Sequence, residues 1–329
     1  MSVGRVAARK LLSRMRVPVI GAPLFIVSNP ALVIEQCKAG IVGSFPALNA
    51  RPQAKLEDWL LEITEALATH DAAHPEAPAA PFAVNHIMHR SNDRLEADLK
   101  TCQKFGVEVN ITSLGARPDV NDMIHEWGGM VMHDITTDFF AKKAISKGAD
   151  GLIAVATGAG GHAGTTSPFS LVQDIRQWFD GPLALSGAIS TGCNVLAAQV
   201  MGSDVAYIGS PFIATEEANA DASYKQSVAD CDASDIVYSN LFTGVHGNYL
   251  RPSIEAAGLD PDNLPEGSLA DMNFDSKEGL KTGSDTKAWR DIWGCGSGIG
   301  PVGKVQPAGQ YIAGLGEEYA AAVAKVVAQ

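Results

Sequence analysis

The chain has 329 residues, 46% of them hydrophobic and 19% charged, and its 25 basic and 37 acidic side chains give a net charge of −12. No basic block interrupts that balance, which argues against a general grip on nucleic-acid phosphates, and no apolar run approaches the roughly 18 residues of a bilayer span. The apolar content is too high for disorder, and the length fits either two equal domains or one α/β barrel of about 250 residues with about 80 to spare.

Residues 1–34 contain no acid, whereas Arg5, Arg9, Lys10, Arg14 and Arg16 are basic, and Val6, Leu11, Leu12 and Met15 can share one helix face. An organellar targeting peptide can look like this. The segment runs straight into a strand without a cleavage-like small-residue site, so we read it as a short amphipathic helix covering one end of the domain. Beyond it, short β-prone runs at 17–21, 40–43, 81–85, 107–111, 130–134, 151–155, 182–186 and 205–208 alternate with helix-like stretches at 30–38, 56–67, 93–105, 139–147, 169–179 and 192–201. The runs show little polar alternation, as expected for parallel strands buried on both faces. Eight such strands predict an α/β fold of the (β/α)8 TIM-barrel type, with an open doubly wound sheet as the alternative.

After about residue 220 the pattern breaks down. Residues 258–287 are polar, rich in Gly, Pro and Asp, and without a clear period. They read as an excursion, and helical character returns only at 316–328, which could pack as the last barrel helix. The expected organisation is a barrel of residues 1–220 and 291–329 carrying a smaller inserted α+β capping domain of residues 221–290.

A βα barrel builds its active site where strands end and loops begin. The endings here carry chemistry: Gly21-Ala22-Pro23-Leu24 after the first run, Asn85-His86 after the third, Asn110 and Ser113 after the fourth, and His133-Asp134 after the fifth. The sixth run ends in Thr157-Gly158-Ala159-Gly160-Gly161-His162-Ala163-Gly164, the seventh in Ser186-Gly187, and the eighth in Gly209-Ser210-Pro211. Glycines after the last two strands let backbone amides approach an anion, so they predict a phosphate site, although two ordinary tight turns would carry the same residues. His162 stands among glycines and alanines that leave room for a flat ligand, with one imidazole free to move a proton near neutral pH. A lone histidine is more often structural; its place on this rim favours function.

Other motifs fail on their surroundings. Residues 158–163 fit G-x-G-x-x-A, but the next helix starts only at Ser167-Pro168, and the following strand ends in Ser186-Gly187 instead of a ribose-binding acid. Residues 298–304 resemble a phosphate loop, yet Val305 stands where Ser or Thr should bind magnesium, and Pro301 removes a donor. His86 and His89 lack further ligands for a metal, and none is expected. Cys37, Cys102, Cys193, Cys231 and Cys295 are odd in number and without a C-x-x-C, which fits a reducing, cytoplasmic setting.

The stretches 151–164, 185–192 and 201–215, in that order, resemble the nitronate monooxygenase family, also called 2-nitropropane dioxygenases. The G-G-H-x-G, S-G-x-I and G-[TS]-x-F elements together carry the likeness, which runs from Pro18 to about Arg251 and resumes near 294–300. The resemblance implies an FMN-dependent TIM barrel that oxidises alkyl nitronates, and in some members nitroalkanes, with O2 to carbonyl compounds and nitrite. It implies cofactor contacts from Ala22, Pro23 and Leu24, from Asn85, from Lys142, from Gly161, from Ser186 and Gly187, and from Tyr207, Ile208, Gly209 and Ser210. It also implies that His162 faces the flavin and acts on the substrate's acidic α-carbon or nitro group. Family members often have glutamine and glutamate where this chain has Ala156 and Ala159, and methionine at Leu24, which puts substrate orientation in question more than FMN binding.

Two other functions stay open at this point. One is a related FMN-dependent reductase passing hydride from NAD(P)H to a quinone or an enoyl thioester. The other is a flavin-free phosphate-site barrel acting as an isomerase, lyase or ligand-binding protein. The expected partners are a small-molecule substrate and O2, without nucleic acid or membrane; the assembly is left open, a homodimer included.

Overall fold

The computed structural model describes residues 3–267 and 291–328. Residues 268–287 of the expected excursion therefore lie outside the described residues. Eight parallel strands, β1 (Val19–Gly21), β2 (Gly43–Pro46), β3 (Phe82–Ile87), β4 (Val109–Ser113), β5 (Met130–Ile135), β6 (Gly151–Val155), β8 (Leu183–Ser186) and β9 (Val205–Ile208), form one sheet in the order β1-β9-β8-β6-β5-β4-β3-β2. A parallel bridge between Ile20 and Val42 joins the two ends, with Gly21 N donating to Val42 O at 2.8 Å. The sheet closes into the (β/α)8 barrel that the strand count predicts; the open sheet is excluded.

Side-chain alternation decides what each strand residue faces. Ile20, Val42, Ala83, Val109, Ile111, Met132, Ile153, Ala184 and Val205 fill the barrel interior as one buried cluster. Their neighbours in sequence, including Val19, Val131, Leu152, Ala154, Leu183 and Ala206, point outward into a second cluster shared with the helices. Helix α1 (Val3–Leu12) supplies buried Leu11 to the interior cluster, with Leu12 and Met15 packed against it, so the N-terminal segment stoppers the bottom of the barrel. That is the amphipathic cover expected of it.

The outer helices are α2 (Pro30–Lys38), α3 (Lys55–Ala73), α4 (Leu95–Lys104), α5 (Pro118–Glu126), α6 (Asp138–Ser146), α7 (Pro168–Arg176), α8 (Gly192–Met201) and α12 (Ala308–Val327). Helix α5 has no counterpart among the expected stretches: at nine residues, opened by Pro118 and broken by Gly128-Gly129, it offers too short a period to read. Helix α12 packs on α8 and α2 and fills the last position of the ring, starting eight residues earlier than residue 316. Gly192 permits this packing, since a Cβ there would lie 2.1 Å from Tyr319 N and 2.5 Å from Leu315 O. The second strand also moved: the run 40–43 is strand only from Gly43 onward, because pairing with β3 aligns Gly43 with Phe82 and Pro46 with Asn85.

A small second sheet stands on the barrel's C-terminal side. It orders β10 (Ile236–Ser239), β11 (Gly247–Leu250) and β7 (Gly161–His162), all antiparallel, and β7 belongs to the loop after β6. Short helices α9 (Ser210–Ile213), α10 (Ala222–Asp230) and α11 (Arg251–Ala256) connect these parts. Among the described residues no helix is long and apolar enough to cross a membrane.

Candidate active site

The upper layer of the barrel interior is polar, unlike the layers below it. Following the alternation, Asn85, Ser113, Asp134 and Tyr207 all point inward at the C-terminal ends of β3, β4, β5 and β9. Asn85 donates through Nδ2 to Ser113 Oγ at 2.7 Å and to Ile111 O at 3.3 Å. Both amide hydrogens are spent inside the barrel, so its carbonyl oxygen is what it can offer a ligand. Ser113 in turn hydrogen-bonds Asp134, and burial raises that carboxyl to about 6 against the opposing effect of the bond. Tyr207 is held well above its ordinary range by burial first and by the neighbouring Asp134 charge second. His133, one residue earlier, points outward, pairs with Thr112 Oγ1 through Nδ1 at 2.6 Å, and is pushed down to about 4 by burial. It is a structural histidine, as is His86, which is fully buried against Asn110.

Around this floor the loops interlock. The loop after β1 is fastened by Asn49, which accepts from Ile26 N at 2.9 Å and donates to Leu24 O at 2.9 Å and Ser28 O at 2.8 Å. This seats Ala22 and Leu24 against Gly209, where an added Cβ would meet them at 3.4 and 3.3 Å. Ala22 N also donates to Ile208 O at 2.7 Å. Gly187 has φ +132° and lies so close to Thr157 O, 2.6 Å from where a Cβ would stand, that only glycine fits between the β6 and β8 loops. Ser210 is buried and accepts Gly296 N at 2.8 Å, which draws residues 294–298 over the β6 loop. Gly161, by contrast, has nothing within 4 Å of an added Cβ.

His162 follows immediately, half-buried, on β7. Its Nε2 lies 2.8 Å from Thr243 Oγ1, and burial lowers its pKa, so the imidazole is neutral near neutral pH. Backbone pairing of His162 with Gly247 and of Gly161 with Asn248 holds the strand, and Asn248 Nδ2 fixes the preceding loop at Ala159 O, 2.7 Å away.

The fold thus brings Ala22, Pro23, Leu24, Asn85, Gly161, His162, Ser186, Gly187, Tyr207, Ile208, Gly209 and Ser210 to one end of the barrel. Lys142 does not join them. It sits on the outer surface of α6, its ammonium 2.6 Å from Asp138 Oδ2 and 5.7 Å from the Trp178 ring, and most of its side chain is exposed. A lysine one turn into an outer helix is drawn to the nearest carboxylate and ring on that surface. Asp134, Thr243, Asn248 and residues 294–298 belong to the site region without having been singled out as site residues. The first was visible as a strand ending; the others are brought in by long-range pairing. Ala156 is buried in the core and Ala159 spends its carbonyl on Asn248, so both small residues are packed positions. Among the described residues no group of three His, Cys, Asp or Glu could hold a metal.

The nitronate monooxygenase family model matches residues 9–256. A nitronate monooxygenase of Paraburkholderia phytofirmans is 23% identical over 321 residues, covering 82% of this chain and 83% of its own length. Among solved structures, a nitroalkane oxidase from Streptomyces ansochromogenes superposes with a TM-score of 0.78 at 21% identity, covering 96% of this chain and 99% of that one. FabK from Thermotoga maritima superposes with a TM-score of 0.74 at 20% identity, covering 100% and 99%. These two likenesses are likenesses of fold. With the family model spanning most of the barrel and the second sheet, the chain belongs to the nitronate monooxygenase family and is an oxidoreductase.

Proposed function

We propose that this protein is an FMN-dependent nitronate monooxygenase that oxidises alkyl nitronates, and neutral nitroalkanes after deprotonation, with O2 to carbonyl compounds and nitrite. The observation that carries the reading is His162: a neutral, half-buried imidazole beside the open space at Gly161, above a barrel mouth whose floor is polar. The residues present suit a flavin phosphate ester. Glycines line the rim at Gly161, Gly187 and Gly209, so backbone amides rather than side chains meet a ligand there, and the floor offers Asn85, Ser113, Asp134 and Tyr207 as hydrogen-bonding partners.

In this reading Ala22, Pro23, Leu24 and Asn85 hold the ring system, while Ser186, Gly187 and Tyr207 through Ser210 hold the ribityl phosphate. The barrel holds the cofactor, and the second sheet, with β10 (Ile236–Ser239) and β11 (Gly247–Leu250) from the expected capping domain, covers its mouth. When bound, FMN supplies the electron exchange with substrate and O2. His162 takes the proton from the carbon bearing the nitro group: the C–H electron pair stays on the substrate, which remains bound as a nitronate anion, and the imidazole becomes imidazolium. The imidazolium then lies beside the nitro oxygens and stabilises their charge, a role that burial strengthens.

The test is anaerobic mixing of the purified yellow protein with propyl nitronate and, separately, with NADH. Bleaching by the nitronate and not by NADH supports the proposal. Bleaching by NADH alone replaces it with the flavin reductase reading, and a colourless protein that takes up no FMN replaces it with the flavin-free barrel.

A further inference from the structure

We infer that Thr243 is a positioning residue that holds His162 as the Nε2–H tautomer, so that Nδ1 is the nitrogen that takes the substrate proton. This rests on the reading of His162 as the catalytic base and adds which atom acts and what fixes it.

The argument is one of counting hydrogens. Thr243 has a single hydroxyl hydrogen, and Oγ1 lies 3.0 Å from Val245 O and 2.8 Å from His162 Nε2. The hydroxyl donates its hydrogen to Val245 O, an atom that can only accept. Oγ1 can then meet Nε2 only as an acceptor, and Nε2 must carry the ring proton. A neutral imidazole with a proton on Nε2 keeps its lone pair on Nδ1. Val245 N adds a long third contact to Oγ1 at 3.4 Å. Tyr249, buried beside it, is a second acceptor within reach of the hydroxyl, and a hydrogen given to either oxygen is withheld from Nε2. The opposite arrangement, with Thr243 donating to a bare Nε2, would leave Val245 O facing an oxygen lone pair.

The placement is rigid for a second reason. Thr243 lies in the turn between β10 and β11, and β11 is the strand that pairs with His162 through Gly247. One hairpin therefore sets both the backbone and the ring of the base. The second sheet is part of the acid–base machinery as well as a cover.

The test uses the flavin-loaded protein labelled with 15N-histidine, with His162→Gln identifying the signal by its loss. The expected spectrum has a protonated Nε2 and a bare Nδ1 in the resting enzyme. Thr243→Val should give a mixture of tautomers and lower kcat for a neutral nitroalkane by about tenfold to a hundredfold, with KM changed little. Preformed nitronate, which needs no deprotonation, should lose far less. Thr243→Ser keeps the hydroxyl and should restore both the tautomer and kcat, separating the bond from mere folding. A protonated Nδ1 in the resting enzyme overturns the inference, and so does a single unchanged tautomer in Thr243→Val. The spectrum needs no substrate, so a protein that fails to oxidise nitronates can still show the assigned tautomer, and the two readings fail separately.

Discussion

Asp134 and Tyr207 share the floor of the barrel mouth from β5 and β9, and the carboxyl is close enough for its charge to raise the phenol. Neither has a cation among the groups acting on it, so burial dominates both. A carboxyl raised to about 6 in the fold, against 3.8 for the ordinary group, keeps its proton longer in the native state than in the unfolded chain. The contribution of Asp134 to stability is therefore greatest below the unfolded value, falls as pH rises from about 4 to about 6, and is flat above. Asp134→Asn should remove that slope, and the gap between variant and wild type should grow by up to about 3 kcal/mol across this window. Urea unfolding at pH 4, 5, 6 and 8 measures it; parallel profiles would show that Asp134 does not titrate differently in the fold.

His162→Ala should leave the yellow colour and lower the turnover of neutral nitroalkanes by about 100-fold or more. Because burial lowers the imidazole pKa, the base form prevails above the shifted value and is lost only below the ordinary histidine range. For a neutral nitroalkane, kcat/KM should stay level from pH 8 to about 6.5 and fall on further acidification. Steady-state rates across this range check both statements.

Asn49 makes three hydrogen bonds to the loop after β1 and so seats Leu24 at the rim. Asn49→Ala leaves one half-buried amide and two carbonyls without their partner, at a cost of about 1 kcal/mol. It should also weaken FMN binding several-fold without touching His162, which flavin-fluorescence titration of the stripped protein can read.

Gly192→Ala drives a methyl group into the backbone of α12, where there is no side chain to swing away. The substitution should destabilise the protein by about 1–3 kcal/mol and loosen the last barrel helix. Thermal unfolding together with amide exchange in residues 308–327 would detect it.

Lys142→Ala provides the contrasting case. Its ammonium is engaged on the outside of α6, by Asp138 and Trp178, so FMN affinity should be unchanged within about twofold. A large loss of affinity would restore the contact implied by resemblance.

The barrel was legible in the sequence because each βα unit announces itself locally. Runs 151–155 and 205–208 and stretches 30–38 and 192–201 coincide with β6, β9, α2 and α8, where short apolar strands and capped helices carry their own signals. The rim was legible for the same reason, since a strand ending is a local event. The start of β2, the inward direction of Asp134 and the absence of Lys142 from the mouth were decided by sheet register and by which surface a helix presents. His162 stood out by its glycine surroundings alone. Its partner Thr243 did not, because β7 is two residues long and exists only by pairing with β11 far along the chain. Composition and local period thus determined a barrel with about 80 residues to spare, within a chain of net charge −12. Only the tertiary structure decided what part of that surplus does, since backbone pairing across a long loop leaves no periodic trace in the residues it joins.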